Sequence, residues 1–459
     1  MNDVDLVNEL KKIVQDSKRV TNQSSMIEQH SHDLTYHKPS PPDVIVFPKA
    51  KKEVQDVVLF ANRHRIPIVP FGVGSSLEGH IIPLRGGISL DMSQMNEIVE
   101  IRPQDFTVTV QPGVTREQLN KKLKPYGLFF PVDPGANASI GGMVATNASG
   151  TNAVRYGSMK HQVLGLEVVL PDGSLIKTGG PYVKSSAGYH LSDLFIGSEG
   201  TLGVFTEITL KLYGIPEKDV SAIAVFSDIQ SASEAAVQMM SAGLSIGKVE
   251  LVDEYTIAAV NAYKGTDYIE KPTLFLELSG RKHWVEEDVK AVESISEDAG
   301  CISFLAETDS LKKALLWEAR HQAAFAILAK YPGKKQMVTD VCVPLSVLPE
   351  AIVRAREIVA RHDVEGVIFG HVGDGNYHVV FTVDPNRDDE IRKAKNINDD
   401  IVRFALKHGG TCTGEHGIGL GKIQYLEEEL GGAYRLMKIV KRSIDPHNLF
   451  NPGKLFPIE

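Results

Sequence analysis

The sequence has little cysteine, no excess of basic residues and no long apolar run. Its three cysteines, Cys301, Cys342 and Cys412, are widely spaced and include no Cys-x-x-Cys pair. An odd number of scattered cysteines argues against a disulfide-stapled scaffold and favours a reducing compartment. The same spacing offers no cysteine cluster suited to an iron–sulfur centre within this chain.

The charge balance and the hydropathy pattern argue against two further classes of protein. The chain has 49 basic and 58 acidic residues, a formal net charge of −9, so we expect no broad basic face for nucleic acid. No segment approaches the run of about 18 apolar residues that a membrane-spanning helix needs. The start of the chain, acidic at Asp3 and Asp5, is unlike a basic and then apolar signal peptide. We therefore expect a cytoplasmic protein without an integral membrane segment, which would reach a membrane only through a partner.

The rest of the composition is that of an ordinary globular protein. At about 150 residues per domain, a chain of 459 residues with 42% apolar and 23% charged side chains predicts two large domains or three smaller ones. Up to about residue 213, alternating patterns predict short strands and helices, and Thr115-Arg-Glu-Gln118 is a capping box that opens a helix. From there on, long helical patterns at 231–240, 284–296, 311–330 and 348–361 alternate with strands such as 273–277 and 367–369. This second part predicts a mixed α+β domain.

Glycine-rich stretches with hydroxyl side chains recur in the first part. In the stretch 70–79, Gly72 and Gly74 would let the backbone approach a phosphate, and Ser75 and Ser76 add hydroxyl donors. A dinucleotide fingerprint would need a third glycine at the start of a helix, and Gly79 falls too late, so a Rossmann interpretation is weak. Taken alone, this stretch is also compatible with a plain glycine turn.

Two further stretches of the same kind follow at 131–150 and 197–205. In the first of them, Ser139 is expected to cap a short helix through Gly141 and Gly142, whose free amides would offer an anion site. The other combines glycines and hydroxyls with an apolar strand. Three such stretches in one domain are difficult to explain as turns alone.

A histidine pair in the second part has the spacing of a metal site. Apolar strands at 364–369 and 379–383 flank the sequence Gly370-His-Val-Gly-Asp-Gly-Asn-Tyr-His378. If the two residues at 374–375 form a type I′ hairpin turn, His371 faces His378, with their Cβ atoms about 4.5–5.5 Å apart. Two imidazoles at that distance can bind one metal ion. Two structural or exposed histidines are the alternative.

A second polar motif, residues 413–419, adds a carboxylate at Glu415 and an imidazole at His416, between glycines that permit close approach of the backbone. A polar turn is the alternative interpretation. Two histidines and one carboxylate would make a ligand set that leaves metal positions open to a substrate. His416 would then remain as a base.

The three glycine-rich stretches resemble the flavin-binding domain of the vanillyl-alcohol oxidase/para-cresol methylhydroxylase family, and the second half resembles its glycolate oxidase D-subunit/D-lactate dehydrogenase branch. The resemblance implies an α+β fold, with a two-part flavin-binding domain and a ferredoxin-like α+β substrate (cap) domain. The implied parts are an N-terminal helical arm at 1–38, the FAD-binding domain at 39–213, the cap domain with the metal site at 214–446, and a C-terminal segment at 447–459 that returns to the FAD domain.

The resemblance also implies cofactors and the residues that hold them. FAD is expected without a covalent link. Its expected contacts are Pro70, Gly72, Val73, Gly74, Ser75, Ser76, Gly79, Pro134, Gly135, Ala136, Ser139, Gly141, Gly142, Asn147, Ser149, Gly200, Gly203 and Val204. The implied metal ligands are His371, His378 and Glu415, with Zn²⁺ as the first choice and Mn²⁺ or Fe²⁺ as the others that fit.

The implied catalytic residues are His416, Arg320 and Asn451. His416 would be the base, and Arg320 would clamp the substrate carboxylate with two parallel hydrogen bonds, a solvated surface charge being the alternative. Asn451 would lie near the isoalloxazine ring or the substrate, and Asn376 is a second candidate of that kind.

These expectations define a reaction. FAD would oxidise a small D-2-hydroxy acid, glycolate or D-lactate, to the 2-oxo acid, with hydride passing from C2 to flavin N5. The metal would hold the hydroxyl and His416 would deprotonate it. A D-2-hydroxyglutarate-type dehydrogenase, a flavin-free His/His/Glu metal-dependent hydrolase or oxygenase, and a flavin-binding subunit without chemistry of its own are the alternatives. The electron acceptor is not readable from the sequence, and an iron–sulfur subunit and a quinone are the candidates.

Overall fold

The computed structural model describes residues 5–14, 16–362 and 365–458. It divides into two compact units. Unit 1 comprises Met1–Ser149, Gly157–Ile215 and Glu415–Glu459, and unit 2 comprises Gly150–Tyr156 and Pro216–Gly414. The first four residues of the expected helical arm, with Asp3, lie outside the described residues, as does Val364 of the expected strand.

Unit 1 contains two larger sheets and a short strand pair. Its strands are β1 (Val20–Thr21), β2 (Val44–Val46), β3 (Ile68–Phe71), β4 (Ile88–Asp91), β5 (Ile98–Arg102), β6 (Thr107–Val110), β7 (Leu128–Phe129), β8 (Val163–Val169), β9 (Leu175–Gly179), β10 (Val204–Lys211) and β11 (Tyr213–Gly214). One sheet has the order β1-β2-β4-β3, in which β4 runs parallel to both of its neighbours. The other is antiparallel, in the order β5-β6-β10-β8-β9, while β11 pairs with β7. This pair of sheets is the two-part arrangement that the resemblance implies.

Unit 1 also contains α-helices. They are α1 (Leu6–Ile13), α2 (Ser24–Gln29), α3 (Lys51–His64), α4 (Arg116–Leu123), α5 (Ile140–Thr146), α7 (Leu191–Phe195), α15 (Ile423–Leu430) and α16 (Gly432–Ile444). Helix α3 buries Val54, Val57, Val58 and Ala61 completely, as the helical spacing predicts. Full burial stabilises each of these valine side chains by about 1.5–3 kcal/mol. The N-cap half of the predicted capping box is confirmed, because the Thr115 hydroxyl accepts a hydrogen bond from Gln118 N at 3.3 Å, whereas the Gln118 side chain donates to Asn96 O at 3.0 Å.

Unit 2 is built on one antiparallel sheet in the order β15-β12-β14-β13-β18-β19-β16, with β17 paired to β19. Its strands are β12 (Lys218–Phe226), β13 (Ile246–Val252), β14 (Thr273–Gly280), β15 (Cys301–Glu307), β16 (Lys335–Val338), β17 (Val341–Cys342), β18 (Gly366–Gly370) and β19 (Asn376–Val383). Its helices are α6 (Ala153–Tyr156), α8 (Ile229–Ser241), α9 (Glu254–Lys264), α10 (Lys282–Asp298), α11 (Ser310–His321), α12 (Ala323–Lys330), α13 (Leu348–Arg361) and α14 (Asp388–Lys407). The single helix expected over 311–330 is divided at Gln322, where α11 ends and α12 begins.

The last part of the chain belongs to unit 1, whereas the limits inferred from the sequence place residues up to 446 in the cap domain. Helix α16 explains this difference. The buried ammonium of Lys441 donates to Thr201 O at 2.7 Å, to Phe450 O at 3.0 Å and to the Asp445 carboxylate at 2.5 Å. Residues 445–454 form no helix in the structure, in agreement with their many turn-forming residues.

Candidate functional site

The three glycine-rich stretches meet in unit 1. Backbone hydrogen bonds join the third stretch to α5 of the second, from Gly197 N to Val144 O at 3.0 Å and from Glu199 N to Ala145 O at 2.8 Å. A Cβ atom on Gly200 would lie 3.1 Å from the Pro70 side chain of the first stretch. Segments distant in the sequence therefore form one local structure, as a shared ligand requires.

The expected flavin contacts lie at the ends of strands and around one short helix. Pro70 is in β3, and Gly72, Val73, Gly74, Ser75, Ser76 and Gly79 are in the loop that follows it. Pro134, Gly135 and Ala136 lie in the loop before α5, Ser139 precedes its first residue, Gly141 and Gly142 are within it, and Asn147 and Ser149 follow it. Gly200 and Gly203 are in the turn before β10, which begins at Val204.

Gly72 of the first stretch lies directly against the Ser139 side chain of the second. A Cβ atom on Gly72 would collide with the Ser139 hydroxyl, and one on Gly142 would lie 3.2 Å from that oxygen. Gly74 has a φ of +73°, a left-handed conformation that residues with a side chain rarely adopt. Glycine at these positions is therefore required by the shape of the loops themselves.

The polar groups of the loops fit a polar cofactor. The Ser76 hydroxyl is buried and has no hydrogen-bond partner within the part of the chain that the structure describes. A buried hydroxyl of this kind is costly unless a ligand or water satisfies it. Ser139 lies at the predicted helix start, but its side chain makes no capping hydrogen bond. The buried Ser76 hydroxyl therefore fits a polar ligand such as FAD.

Glu199 ties the third stretch to the segment that carries the predicted base. Its buried carboxylate accepts hydrogen bonds from Ile418 N at 2.6 Å and Gly419 N at 2.9 Å, and lies 3.3 Å from His80 Nε2. Burial alone would raise the pKa of Glu199, but His80 and the two backbone amides outweigh it and leave that pKa below its ordinary value. Sequence analysis missed this residue, although an acid between the glycines of the third stretch was visible.

Asn451 joins the first and third stretches. Its side-chain amide donates to His80 O at 3.0 Å and to Glu199 O at 2.7 Å, and the residue is 2% exposed. Nearby, the buried ammonium of Lys454 donates to Ile82 O at 2.7 Å. Both hydrogens of the Asn451 amide are thus engaged with the backbone, so Asn451 positions the loops. Contact with the ring or the substrate remains a prediction.

The predicted histidine hairpin exists in unit 2 with a different register. Phe369 is the residue opposite His378, and His371 lies in the connecting loop, so the predicted two-residue turn with His371 opposite His378 is wrong. The loop is longer because Asp374 N and Asn376 N both donate to His371 O, at 3.2 and 3.3 Å. The two imidazoles are nevertheless neighbours, with ring centroids 5.6 Å apart and planes at 87°.

Oxygen acceptors orient both imidazoles. His371 Nδ1 lies 2.7 Å from Glu250 Oε1, and His378 Nδ1 lies 3.3 Å from Thr339 O. In the neutral ring, an Nδ1 that donates to an oxygen leaves the lone pair on Nε2. Metal-binding histidines typically have this arrangement, in which the acceptor fixes both the tautomer and the ring orientation.

Arg320 is buried, which excludes the interpretation of a solvated surface charge. Its exposed fraction is 7%, and Nε and Nη2 donate to Glu250 Oε2 at 3.1 and 2.6 Å. The guanidinium also lies 4.9 Å from the centre of the Phe369 ring. Burial would raise the pKa of Glu250, but His371 and Arg320 together hold that pKa below its ordinary value. The carboxylate therefore stays charged at neutral pH.

A second buried acid, Asp340, binds polar side chains close to His378. Its carboxylate accepts from Asn376 Nδ2 at 2.9 Å and from the Thr413 hydroxyl at 2.6 Å, and lies 3.6 Å from His378 Nδ1. Asn376 also donates to Val341 O at 2.9 Å, so both hydrogens of its amide bind the chain. Sequence analysis missed Glu250 and Asp340, although a lone acid within an apolar strand pattern marks each of them.

Glu415 and His416 follow Gly414 directly in the chain and belong to unit 1. Glu415 Oε1 lies 3.7 Å from His416 Nε2. The two side chains are thus neighbours at the point where the chain leaves the Thr413 segment.

Two domain families match the chain. Residues 42–179 match the family described as FAD binding domain, and residues 215–455 match FAD linked oxidases, C-terminal domain. These matches confirm FAD as the cofactor. The flavin-free hydrolase and oxygenase interpretations are therefore rejected.

Curated relatives align over nearly the whole chain. A probable mitochondrial D-lactate dehydrogenase of Danio rerio is 47% identical over 95% of this chain and 88% of its own. A mitochondrial D-lactate dehydrogenase (cytochrome) of Arabidopsis thaliana is 42% identical over 99% of this chain and 80% of its own. The glycolate oxidase subunit GlcD of Bacillus subtilis (strain 168) is 35% identical over 93% of this chain and 92% of its own.

A solved structure has the same fold. p-Cresol methylhydroxylase with substrate bound superposes with a TM-score of 0.81 over 99% of this chain and 96% of its own, at 18% identity. At that identity the likeness concerns the fold alone, and it confirms the predicted fold class.

The expected cytoplasmic location is contradicted, because the D. rerio and A. thaliana relatives are named as mitochondrial proteins. The expectation depended on the scattered cysteines, which distinguish reducing from oxidising compartments but not one reducing compartment from another. No helix within the described residues is both long and apolar enough to span a bilayer. The family matches and the full-length relatives lead to one conclusion: the chain belongs to the FAD-linked oxidases, as an oxidoreductase with the para-cresol methylhydroxylase type of fold.

Proposed function

We propose that this flavoprotein oxidises D-lactate, and glycolate as a second substrate, to the corresponding 2-oxo acid. The proposal rests on the activity for which its relatives are named. Two of them, 47% and 42% identical to this chain, are D-lactate dehydrogenases, and a third, 35% identical, is a glycolate oxidase subunit. The buried Arg320 beside the histidine pair supports it, because a 2-hydroxy acid presents a carboxylate and a hydroxyl together.

The loops of unit 1 are proposed to hold FAD. When bound, FAD supplies the two-electron oxidation by accepting a hydride from C2 of the substrate. Gly72, Gly74 and Gly142 would let the loops keep the shape that holds it, and the buried Ser76 hydroxyl would donate a hydrogen bond to it. Glu199 and Asn451 keep the first and third stretches together around it.

A divalent metal is proposed at His371, His378 and Glu415, with Zn²⁺ as the first choice and Mn²⁺ or Fe²⁺ as the others that the ligands accept. When bound, such an ion polarises the substrate hydroxyl and lowers its pKa, as it does for water. Glu250 and the Thr339 carbonyl orient the two imidazoles for this role. Asp340 supports His378 from the same side as the Thr413 segment.

Two further residues act on the substrate in this proposal. Arg320 binds the carboxylate with the part of its guanidinium that Glu250 does not engage, so the substrate is held at a fixed orientation. His416 accepts the proton of the substrate hydroxyl through its imidazole. The product leaves as a 2-oxo acid.

The test is anaerobic reduction of the bound flavin by a panel of 2-hydroxy acids. Loss of the flavin absorbance measures the rate of reduction. D-lactate should bleach the flavin fastest, glycolate more slowly and L-lactate least. Arg320 fixes the carboxylate and the metal fixes the hydroxyl, so only one enantiomer of lactate can point its C2 hydrogen at the flavin. Preferred reduction by D-2-hydroxyglutarate would assign the chain to that type of dehydrogenase instead. Absence of bleaching by every 2-hydroxy acid would overturn the proposal.

The electron acceptor is tested with the same protein. The name of the A. thaliana relative specifies a cytochrome, so cytochrome c is compared with a soluble quinone and with an iron–sulfur partner. Reoxidation of the D-lactate-reduced flavin by cytochrome c, faster than by the quinone, is the expected outcome.

A further inference from the structure

Glu250, an acid of β13, is completely buried in unit 2. Its two carboxylate oxygens have different partners. Oε1 lies 2.7 Å from His371 Nδ1, whereas Oε2 accepts both Arg320 Nε and Arg320 Nη2. One carboxylate therefore binds the predicted carboxylate clamp and a predicted metal ligand at the same time.

We propose that Glu250 is a positioning residue that couples substrate binding to metal binding. This inference rests on the proposed function, since it assigns to Arg320 and His371 the roles given above. Glu250 touches neither the substrate nor the metal in the proposal and acts through its two partners.

The geometry of Arg320 supports the first half of this role. A guanidinium has its five donors in a rigid plane, so two bonds from Nε and Nη2 to one oxygen determine the direction of the whole group. The Phe369 ring, 4.9 Å from the guanidinium carbon, restricts the same plane from one side. Without Glu250, the arginine would keep its charge but lose its fixed direction.

Electrostatics supports the second half. The guanidinium and a metal ion on His371 would both be cationic, and both would lie close to the same buried carboxylate. Two like charges in a weakly polar interior repel strongly, and an anion between them reduces that repulsion. The bond to Nδ1 also makes the imidazole a stronger ligand. Glu250 therefore makes it possible for the clamp and the metal to be present together.

A nearby acid provides a matched control. Asp253 is also completely buried, lies 3.1 Å from Arg356 Nη2, and accepts hydrogen bonds from Thr256 N at 2.8 Å and Ile368 N at 2.7 Å. It caps the start of α9 and has no place in the proposed site. Asp253→Asn removes a buried charge paired with an arginine, as Glu250→Gln does, and reports the cost to stability alone.

The experiment compares wild type, Glu250→Gln, Glu250→Asp and Asp253→Asn as purified holoenzymes. Three quantities are measured: Zn²⁺ retained after dialysis against a competing chelator, KM for D-lactate, and FAD content. Glutamine can accept from Arg320 or from His371 but not from both, since its second position is an amide donor. In Glu250→Gln we expect Zn²⁺ affinity about 10–100-fold lower and KM at least about tenfold higher, with FAD content unchanged.

Glu250→Asp restores the charge with a side chain one methylene shorter, so it should recover part of at least one of the two losses. Asp253→Asn should match Glu250→Gln in any loss of thermal stability yet keep Zn²⁺ affinity and KM. Loss of only one property in Glu250→Gln, or equal losses in Asp253→Asn, would overturn the coupling role.

Failure of the proposed function has a different signature. In that case wild type shows no flavin reduction by any 2-hydroxy acid, whereas Zn²⁺ retention in wild type and Glu250→Gln still shows whether Glu250 supports a metal ligand.

Discussion

The flavin loops of unit 1 and the histidine cluster of unit 2 are built in opposite ways. The loops rely on the backbone, with glycines where a side chain would collide and a buried Ser76 hydroxyl that has no hydrogen-bond partner among the described residues. The cluster relies on charged side chains that strands and a helix bring together, with Glu250 bonded to Arg320 and His371 at separations of 70 and 121 residues. The first site is vulnerable to added atoms and the second to removed charges.

This difference determines what a substitution does. An added side chain in a loop changes the path of the backbone and should affect the cofactor before the chemistry. A deleted charge in the cluster leaves its partner buried and uncompensated, which should affect the metal, the substrate or the reaction rate while the loops stay intact. Substitutions in one site should therefore leave the function of the other measurable.

The largest expected effect is at His416. As the base and not a ligand, it should be dispensable for both cofactors, so His416→Ala should retain FAD and metal yet reduce the flavin with D-lactate about 10²–10⁴-fold more slowly. Single-turnover flavin reduction with elemental analysis is the measurement.

The controls are His371→Ala, His378→Ala and Glu415→Ala, which should lose metal and activity together and keep FAD. Metal loss in His416→Ala, or metal retained in all three ligand variants, would contradict the proposed division of roles.

The next effect tests the loops. Gly74→Val combines a left-handed backbone with an added side chain that would lie 3.0 Å from the Phe71 ring, so we expect soluble protein with little FAD. The ratio of flavin to protein absorbance measures it.

Gly127→Val is the matched control, since Gly127 also has a positive φ, of 68°, but has open space around its Cβ position and lies outside the three stretches. It should carry the same backbone strain and keep its FAD. Full flavin occupancy in Gly74→Val would contradict the proposal that this loop binds FAD.

A smaller effect is expected at Arg320. Lysine keeps the charge but cannot make the planar pair of bonds to Glu250, so Arg320→Lys should raise KM for D-lactate about 10–100-fold with FAD retained. Steady-state kinetics measures it. Arg356→Lys, in an arginine paired with Asp253 and Glu254, is the control and should leave KM unchanged. An unchanged KM in Arg320→Lys would mean that this arginine has only a structural role.

The smallest effect concerns stability and pH in unit 1. Burial lowers the pKa of Lys454 from 10.5 to about 8, since Glu199 and Asp33 offset only part of the desolvation. Below pH 8 the folded protein must hold a buried charge, and this penalty disappears as pH rises from 8 towards 10.5. Between pH 8 and 9.5, wild type should therefore gain about 2 kcal/mol relative to Lys454→Met. Thermal unfolding of both proteins across this range measures the difference. If the stability of the two proteins changes in parallel with pH, Lys454 carries no penalty for a buried charge.

The sequence was informative where structure is local. The N-cap at Thr115 and the buried face of α3 were predicted because the residues that make them lie within a few positions of each other. The glycine stretches were visible for the same reason. The hairpin register was not, because the loop at 371–375 closes through bonds to His371 O, and Gly375, with a φ of +87°, approaches Val343 O from a separate segment.

The candidate site was predictable only in part. The histidines, Arg320 and the motif at Glu415 were identified by residue type and spacing, with the resemblance assigning their roles. Glu250, Asp340 and Glu199 were missed because their importance arises from partners far away in the chain. A lone acid in an apolar strand is a weak signal until its partners are known.

The order in which unit 1 is assembled from the chain has a consequence for biosynthesis. Asn451 binds the backbone of His80, 371 positions earlier in the chain, and all of unit 2 is encoded between these two residues. A ribosome therefore releases all three glycine-rich stretches long before Asn451, which joins the first to the third. Unit 2 can fold while translation continues, whereas FAD should be captured only after residues 450–454 have emerged. We expect nascent chains stalled before Phe450 to bind no flavin, and supply of the cofactor should limit the last step of maturation and not the first.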